Sequence, residues 1–357
     1  MPNQRKKTTK RRKNRRRGQR YRTSLKNSVI LLLVLLCIFF ATRTDVWLAE
    51  HTRAVLEYPD ISSDMDFAIS EGHSLADRLQ EFLERLGEDR SVPVHTEGEM
   101  EVHFLDVGQG SACLVESEGH YMLVDGGDRD TSSFVVAYLR DQGVEKLDYI
   151  IASHYDADHI SGLVGVLNVY PTEKILCPDY ETDTKIYASL MNKIEENGCE
   201  VVHPAAGESY DLGEAVFSIA APVRDDYEDD NNRSIGIRLV HGNNSFLMLG
   251  DAEWESEEDI CSSGARLQSD VYLVSHHGSS SSTTKELLDR VRLSAAVISV
   301  GEDNAYGHPH SQTMDRLKAA GVQLYRTDIQ GTVIAVSDGG KLVWNREPCT
   351  DYSPGDR

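Results

Sequence analysis

The sequence predicts an α/β (α+β) fold, a four-layer αββα sandwich, over about residues 100–345. Two observations predict it. From residue 100 onward, short apolar runs recur between Gly, Asp and Asn, and amphipathic helical patterns lie between groups of these runs. Strands that arrive in antiparallel groups, with helices interspersed, favour two sheets packed face to face and covered by helices. The hydrophobic content of 40% is sufficient for a core of this size.

Charge divides the 357 residues into two parts. Residues 1–26 hold thirteen Lys or Arg and no acidic residue, whereas the rest of the chain holds 24 basic and 58 acidic residues, a formal charge of −34. We predict that residues 1–27 form a basic cytoplasmic arm that binds anionic lipid headgroups. Binding of nucleic acid is the alternative for this arm.

An apolar run follows the arm. Residues 29–41, "VILLLVLLCIFFA", carry no charge, although a full membrane span takes roughly 20 apolar residues. The order of basic and then apolar residues predicts a single transmembrane signal anchor over residues 28–48, and whether it is cleaved stays open. The positive-inside rule then places the chain in the cell membrane as a single-pass protein, with everything after the anchor extracytoplasmic.

Residues 49–99 are predicted to form a stalk and linker. In "SLADRLQEFLERLGE", leucine and phenylalanine recur at helical spacing, with Ser74 as N-cap and Gly87 just past the end. This pattern indicates an amphipathic helix that packs on the domain or on its own copy.

The five cysteines beyond the anchor include no C-x-x-C pair. Neither a thiolate metal cluster nor a dense disulfide framework is therefore indicated. A single bridge, such as Cys177 with Cys199, is left open.

The elements of the domain can be read in chain order. "MEVHFLDVG", "SACLVES" and "HYMLVDGG" predict three strands, "SSFVVAYLRDQG" a helix and "LDYIIAS" a buried strand. The helix "IYASLMNKIEENG" precedes the strands "AVFSIAAP", "SIGIRLVHG" and "NSFLMLGD". The strands "DVYLVS", "AAVISV" and "GTVIAVSD" then alternate with the helices "TKELLDRVR" and "SQTMDRLKAAG", and residues 346–357 form a tail.

Ionisable residues are concentrated directly after "LDYIIAS". His154, Asp156, Asp158 and His159 all lie within "HYDADH", residues 154–159. Imidazole and carboxylate at this density favour a divalent metal, because like charges at a partly buried site would otherwise repel one another. A solvated acidic loop would explain one such histidine, but not the whole pattern.

Two later strands end in residues of the same kind. Asp251 follows "FLMLG", and His276 and His277 follow "DVYLVS". Since alternate residues of a strand face opposite ways, one of the two adjacent histidines is expected to bind metal, and the sequence leaves open which.

The motifs "HYDADH", "LGDAE" and "SHHGS", in this order, resemble those of the metallo-β-lactamase superfamily. The stretches "HFLDVGQGSACLV", "LVDGG", "NNRSIGIRLV" and "NAYGHPH" resemble the hydrolase domain of ComEC-type competence proteins. With a single apolar anchor, the chain is expected to be a stand-alone, membrane-anchored form of that domain.

The resemblance implies one or two divalent metal ions, zinc or manganese. It implies ligands as follows: one metal on His154 and Asp156, a second on Asp158 and His159, Asp251 as the bridge, and His276 or His277 completing the second. Two departures shift the site from zinc toward harder ions such as manganese, and the identity of the metal stays open. Asp156 stands where the superfamily commonly has histidine, and the histidine of the third motif is replaced by "DDNNRSIG", where Asn232 is a weak substitute.

Paired cations activate water and stabilise charge on a phosphoryl oxygen, so a metal-dependent hydrolase of phosphodiester bonds is predicted. Asp158 and Asp251 would orient the metals and the nucleophile. His308, in "NAYGHPH", is the candidate for contacting substrate or donating a proton, and Asn232 is a second candidate for binding substrate. Asp106, Gln109 and Asp125 are expected to shape loops under the site.

The predicted substrate is a phosphoester, with single-stranded DNA and a link to DNA uptake as the leading hypothesis. The charge of −34 outside the arm argues against tight, extended contact with a polyanion. The first alternative is a surface phosphodiesterase acting on small or lipid-linked phosphoesters such as phosphocholine. The second alternative is a non-catalytic binding module.

Overall fold

The computed structural model describes residues 98–355. The predicted basic arm, the anchor and the stalk up to residue 97 lie outside this range, as do the last two residues of the tail. Within the described range, no helix has both the length and the apolar character needed to cross a bilayer.

Fifteen strands and seven α-helices make up residues 98–355. The strands are β1 Met100–Phe104, β2 Cys113–Ser117, β3 His120–Val124, β4 Leu147–Ile151, β5 Thr172–Leu176, β6 Glu200–Val202, β7 Ser209–Leu212, β8 Ala215–Ala221, β9 Gly236–His241, β10 Asn244–Met248, β11 Val271–Leu273, β12 Ala295–Ile298, β13 Gln323–Arg326, β14 Val333–Ser337 and β15 Leu342–Trp344. The helices are α1 Ser132–Asp141, α2 Ala157–Val169, α3 Lys185–Asn197, α4 Trp254–Ser262, α5 Lys285–Val291, α6 Ser311–Ala320 and α7 Thr327–Gln330.

The strands form two mixed sheets. The first has the order β15-β14-β1-β2-β3-β4-β5-β6 and the second the order β13-β12-β11-β10-β9-β8-β7. In the first sheet, pairs from β15 to β3 are antiparallel and pairs from β3 to β6 are parallel. In the second sheet, pairs from β13 to β10 are parallel and pairs from β10 to β7 are antiparallel.

Three layers of apolar side chains hold these elements together. The central layer joins the two sheets, with Phe104 and Ile151 of the first sheet against Phe217 and Phe246 of the second. A second layer lies between the first sheet and helices α1, α2 and α3. A third layer lies between the second sheet and helices α4, α5 and α6. The predicted mixed α/β sandwich of two sheets between helical layers is therefore confirmed.

Helix α2 approaches the first sheet closely at a pair of glycines. A Cβ atom on Gly162 would lie 1.8 Å from the carbonyl oxygen of Gly126. Only glycine fits there, and the contact lets Gly126 N donate to His159 O at 2.7 Å and Gly162 N donate to Gly127 O at 2.9 Å. The first turn of α2 is thereby held against the end of β3.

The five cysteines of the described range are free thiols. The bridge that the sequence left open between Cys177 and Cys199 is therefore not formed in this structure. The Cys177 thiol lies 3.9 Å from His203 Nδ1, and the Cys199 thiol lies 3.9 Å from the Ile194 carbonyl.

Candidate metal centre

Polar residues follow four central strands at one shared edge of the sandwich. Asp125 follows β3, His154 follows β4, Asp251 follows β10 and His276 follows β11. The two sheets are joined at this edge, because Ile235 N donates a hydrogen bond to Ser153 O at 2.8 Å. Residues that are far apart in the chain therefore meet at one place.

Asp125 fixes the orientation of His159. Its Oδ2 atom accepts from Ser153 Oγ at 2.8 Å and lies 2.8 Å from His159 Nδ1, while its Oδ1 accepts from Ser153 N at 2.8 Å. With Nδ1 held by a carboxylate, Nε2 of His159 is directed into the centre. Asp125 was expected only to shape a loop under the site. In the structure it also contacts His159, a predicted metal ligand.

The rings of the other two buried histidines, His154 and His277, are also held through their Nδ1 atoms. His277 Nδ1 donates to the Ser299 carbonyl at 2.9 Å, and His154 Nδ1 lies 3.0 Å from Ser153 Oγ. In protein metal sites the histidine nitrogen that does not bind the metal commonly has such a partner. The remaining Nε2 atoms of these rings are thus free to serve a common ligand.

These nitrogens converge with two carboxylates. His159 Nε2 lies 3.2 Å from His277 Nε2 and 3.3 Å from Asp251 Oδ1. His277 Nε2 lies 3.4 Å from Asp158 Oδ2 and 3.5 Å from Asp251 Oδ2. Two groups have ligand atoms that all lie within 4.8 Å of one another: His154, His159 and Asp251, and Asp158, His159 and His277.

The donor set fits a divalent metal. His154 Nε2 is buried and has no hydrogen-bond partner among the described residues, although an orphaned buried nitrogen is costly. A cation between imidazole nitrogens and carboxylate oxygens would satisfy this atom. Three imidazoles with two carboxylates suit zinc or manganese rather than calcium or magnesium.

The grouping differs from the expected one at Asp156. His154 was expected to share a metal with Asp156, but its Nε2 is grouped with His159 and Asp251. The Asp156 side chain is 61% exposed, and its Oδ2 lies 3.8 Å from His154 Nε2. Asp156 therefore lies at the rim, because it is the last extended residue before α2 begins. Its role as a ligand remains a prediction.

Without a bound ion, attraction between opposite charges determines the pKa values at the centre. Burial on its own would raise the pKa of the Asp251 carboxyl, but the imidazoles of His159 and His277 outweigh burial and hold this pKa well below its usual range. Burial would likewise lower the pKa of His159, but the carboxylates of Asp251 and Asp125 raise it well above its usual range.

The pKa values of His154 and Asp158, which flank this pair, are both lowered. Burial, followed by the nearby His159, lowers the pKa of the His154 imidazole. Burial would raise the pKa of Asp158, but contacts with His277 and His159 bring it down to about 2. Both carboxylates are therefore ionised and His154 is neutral near pH 7, which are the forms that bind metal.

The structure gives the adjacent residues His276 and His277 different positions relative to the buried cluster. Both have left-handed backbone, with φ of 51° and 52°, because they lie in a turn after β11 rather than in the strand. The expected strand alternation therefore does not apply. His277 points into the buried cluster, whereas His276 Nδ1 lies 3.2 Å from Glu253 Oε1 and its Nε2 lies 3.7 Å from Asp251 Oδ2.

His308 lies next to His276 and His277. Its ring centroid lies 5.5 Å from that of His276 and 6.2 Å from that of His277. Asn304 holds this loop, since its Nδ2 donates to His308 O at 2.7 Å and its Oδ1 accepts from His308 N at 3.0 Å. Burial, followed by the neighbouring His277 and His276, lowers the pKa of His308 to about 4.

Asn232 is buried beside the centre rather than open to solvent. Its Oδ1 accepts from Glu253 N at 3.0 Å and from Ser256 N at 3.2 Å, which caps the start of α4. These bonds hold the segment that carries Asp251 and Glu253. A direct role of Asn232 toward substrate stays a prediction.

Sequence reasoning did not assign two residues that the structure places here. Glu253 lies inside the quoted motif "LGDAE" but was given no role, and its contact is with His276. Ser153 is the last residue of "LDYIIAS" and holds both Asp125 and His154. A polar residue at the end of a buried strand was the available signal in each case.

A model of the metallo-beta-lactamase superfamily matches residues 105–302. The chain belongs to this superfamily. It is also similar to competence proteins. It is 30% identical to competence protein ComA of Neisseria gonorrhoeae over 71% of this chain and 36% of that protein. It is 26% identical to ComE operon protein 3 of Bacillus subtilis over 66% of this chain and 33% of that protein.

A third relative is recombination protein 2 of Haemophilus influenzae, with 32% identity over 66% of this chain and 28% of that protein. The chain thus spans about a third of the length of these curated relatives. Among solved structures, the metallo-beta-lactamase fold protein YhfI from Bacillus subtilis aligns with a TM-score of 0.44 and 12% identity, over 69% of this chain and 100% of that chain.

The superfamily match and the cluster of ligand atoms agree. The chain is a metal-dependent hydrolase of the metallo-β-lactamase fold, related to ComEC-type competence proteins. Its ligand cluster occupies the strand edge where the superfamily motifs "HYDADH", "LGDAE" and "SHHGS" meet.

Proposed function

We propose that the chain is a phosphodiesterase that cleaves nucleic acid, with single-stranded DNA as its substrate, and that it works in DNA uptake. The observation that carries this proposal is the convergence of imidazole nitrogens with two carboxylates from separate strand ends. Divalent ions bound there would lower the pKa of water and stabilise the charge that develops on a phosphoryl oxygen.

Each residue of the centre has a defined part. Two sets of residues could hold zinc or manganese: His154, His159 and Asp251, or Asp158, His159 and His277. Because Asp125 holds Nδ1 of His159, only its Nε2 is left to bind an ion, so His159 would serve one ion and a second ion would rest on the other residues. Asp251 is the carboxylate placed to bridge, because its Oδ1 lies 3.3 Å from His159 Nε2 and its Oδ2 lies 3.5 Å from His277 Nε2. Asp125 and Ser299 keep the two rings in place.

His276 and His308 form the outer wall of the centre. Burial would lower the pKa of His276, but Glu253 and Asp251 raise it. Its Nδ1 is directed at Glu253, which leaves Nε2 to contact an anionic oxygen. His308 is neutral near pH 7 because its pKa is about 4, so it can donate a hydrogen bond from one nitrogen and accept a hydrogen bond on the other. These properties suit the binding and turnover of a phosphodiester.

The negative charge of the chain outside the basic arm limits the kind of substrate that it can bind. The −34 outside the basic arm disfavours long contacts with a polyanion, so we propose that the domain contacts a short single-stranded segment. The same charge favours the alternative of a small or lipid-linked phosphoester, which needs no extended groove. The competence relatives support the DNA hypothesis.

The location belongs to the proposal as well. We propose that residues 28–48 anchor the chain in the cell membrane, that the basic arm contacts anionic headgroups, and that the hydrolase domain lies outside the cytoplasm. A reporter enzyme fused at the C-terminus should be active only outside the cytoplasm, and activity inside would contradict this placement.

The catalytic proposal is tested with the purified full-length chain, manganese or zinc, and bis-p-nitrophenyl phosphate. Asp158→Ala should abolish turnover, while Asp289→Ala should retain it, because Asp289 pairs only with Lys285 on the exposed side of α5. Equal turnover in wild type and Asp158→Ala would remove the catalytic assignment. Cleavage of single-stranded DNA at moderate salt supports the nuclease, and cleavage of small phosphodiesters alone supports the alternative.

A further inference from the structure

Two aromatic side chains stand out on the surface. Trp254 is 58% exposed and Tyr306 is 67% exposed, and among residues 98–355 they are the aromatic members of the exposed large hydrophobic side chains. Single exposed apolar residues are ordinary on protein surfaces and need no explanation. What distinguishes this pair is that both residues lie on the rim of the metal centre.

Each aromatic residue reaches His276 through one intervening residue. The Tyr306 ring stacks on His308 with centroids 5.6 Å apart and 20° between the planes, and His308 lies 5.5 Å from His276. Trp254 directly follows Glu253, whose Oε1 lies 3.2 Å from His276 Nδ1. The Tyr306 ring and the backbone of Trp254 therefore lie beside the outer wall of the centre on different chain segments.

A continuous set of hydrogen bonds fixes the rim between them. Trp254 N donates to Ser281 O at 2.8 Å, and the adjacent Ser280 N donates to His310 Nδ1 at 2.9 Å. His310 Nε2 in turn donates to Tyr306 O at 3.2 Å. The backbone positions of both residues are thus linked through Ser280, Ser281 and one imidazole.

We propose that Trp254 and Tyr306 stack on nucleobases of a single-stranded nucleic acid and so place its phosphodiester at the metal centre. This inference rests on the proposed function and names how the substrate is recognised. Base stacking on aromatic rings is sequence-tolerant, and it acts on the base rather than on the charged backbone. It is the mode of nucleic-acid binding that an acidic surface permits.

The charge next to Trp254 restricts the length of the contact. Helix α4 begins at Trp254 and carries Glu255, Glu258 and Asp259. Glu255 and Asp259 share one cation, Arg224, with Asp226, so this face stays net negative and would repel a phosphate backbone running along it. A strand that stacks a base on Trp254 and another on Tyr306 must leave the surface soon after. The occupant is therefore a short stretch of unpaired nucleotides.

The test compares two oligonucleotides with identical backbones, one of thymidines and one in which all residues but the labelled end are abasic. The full-length chain with manganese should prefer the thymidine strand by about a hundredfold, because two bases would be stacked and each stack contributes roughly tenfold. Trp254→Ala and Tyr306→Ala should each lower this preference roughly tenfold through KM, with kcat on the abasic strand unchanged. Trp254→Phe and Tyr306→Phe should restore it, and Val343→Ala, an exposed apolar residue of β15, is the control.

Binding is measured in parallel by fluorescence anisotropy in EDTA, without turnover. If neither strand is cleaved but thymidine-dependent binding is present and falls in both Ala variants, the proposed function fails and the stacking role stands. Absence of a base preference in binding and in cleavage overturns the stacking role. It is also overturned if the Ala variants bind both strands as wild type does and lose only binding to phosphatidylglycerol vesicles or self-association.

Discussion

The Nε2 atom of His159 lies 3.2 Å from the Nε2 atom of His277, although the two residues are 118 positions apart in the chain. His159 comes from the first turn of α2, against the first sheet, and His277 comes from the turn after β11 of the second sheet. The contact exists because the two sheets share one edge. A cation at that edge would replace a repulsive or unfavourable approach of two imidazoles by two coordinate bonds.

Stabilisation by metal should increase with pH. The pKa of His159 is raised in the metal-free protein, so its contribution to stability is complete below its unfolded value of about 6.5 and is lost as the pH rises through the raised pKa. Metal binds only the deprotonated ring, so metal binding becomes stronger as the pH rises. The shift in melting temperature on adding manganese should be larger at pH 8 than at pH 6. A shift independent of pH would contradict this account, as would an unchanged shift in His159→Gln.

Asp125→Asn should weaken metal binding by about 10–100-fold while the protein remains folded. The asparagine oxygen can still accept from Ser153 N, but the amide NH2 replaces the carboxylate oxygen that lies 2.8 Å from His159 Nδ1 and cannot accept from that ring. Titration of the metal-free chain with zinc, followed by calorimetry, measures the affinity. Asp289→Asn serves as the matched control on the surface. Wild-type affinity in Asp125→Asn would show that this carboxylate does not position the ring.

Gly162→Ala should destabilise the fold by about 1–3 kcal/mol, because its Cβ would meet the Gly126 carbonyl oxygen at 1.8 Å. Since this contact presses α2 against β3, metal affinity should fall together with stability. Urea unfolding measures the loss. Gly340→Ala is the control, as the nearest atom to its new Cβ is an Asp338 side-chain oxygen at 3.4 Å. Equal stability of the two variants would refute the close-packing argument.

Much of the fold was predictable because its central strands are apolar and clearly bounded. The runs predicted as strands and helices from residue 100 onward all contain elements of the predicted type. Strands β5, β6, β7, β13 and β15 and helices α2, α4 and α7 were not predicted. Most of these strands are edge or near-edge elements of three to five residues, and α4 is acidic with few buried residues, so neither shows a full apolar period.

The candidate site was predictable where its residues are adjacent in sequence. "HYDADH" brings His154, Asp158 and His159 together through one strand end and one helical turn, which local spacing can indicate. The contacts of Asp125 with His159 and of Glu253 with His276 depend on how strands and turns are placed in three dimensions. The choice between His276 and His277 depended on a left-handed turn that strand periodicity does not describe.

The central claim is that these side chains bind at least one divalent ion, and metal analysis of the purified full-length chain tests it most directly. Mass spectrometry of the digested protein should find one to two equivalents of zinc or manganese per chain, and fewer in His277→Ala than in Asp289→Ala. A wild-type chain that holds no divalent ion after exposure to manganese and zinc would contradict the account.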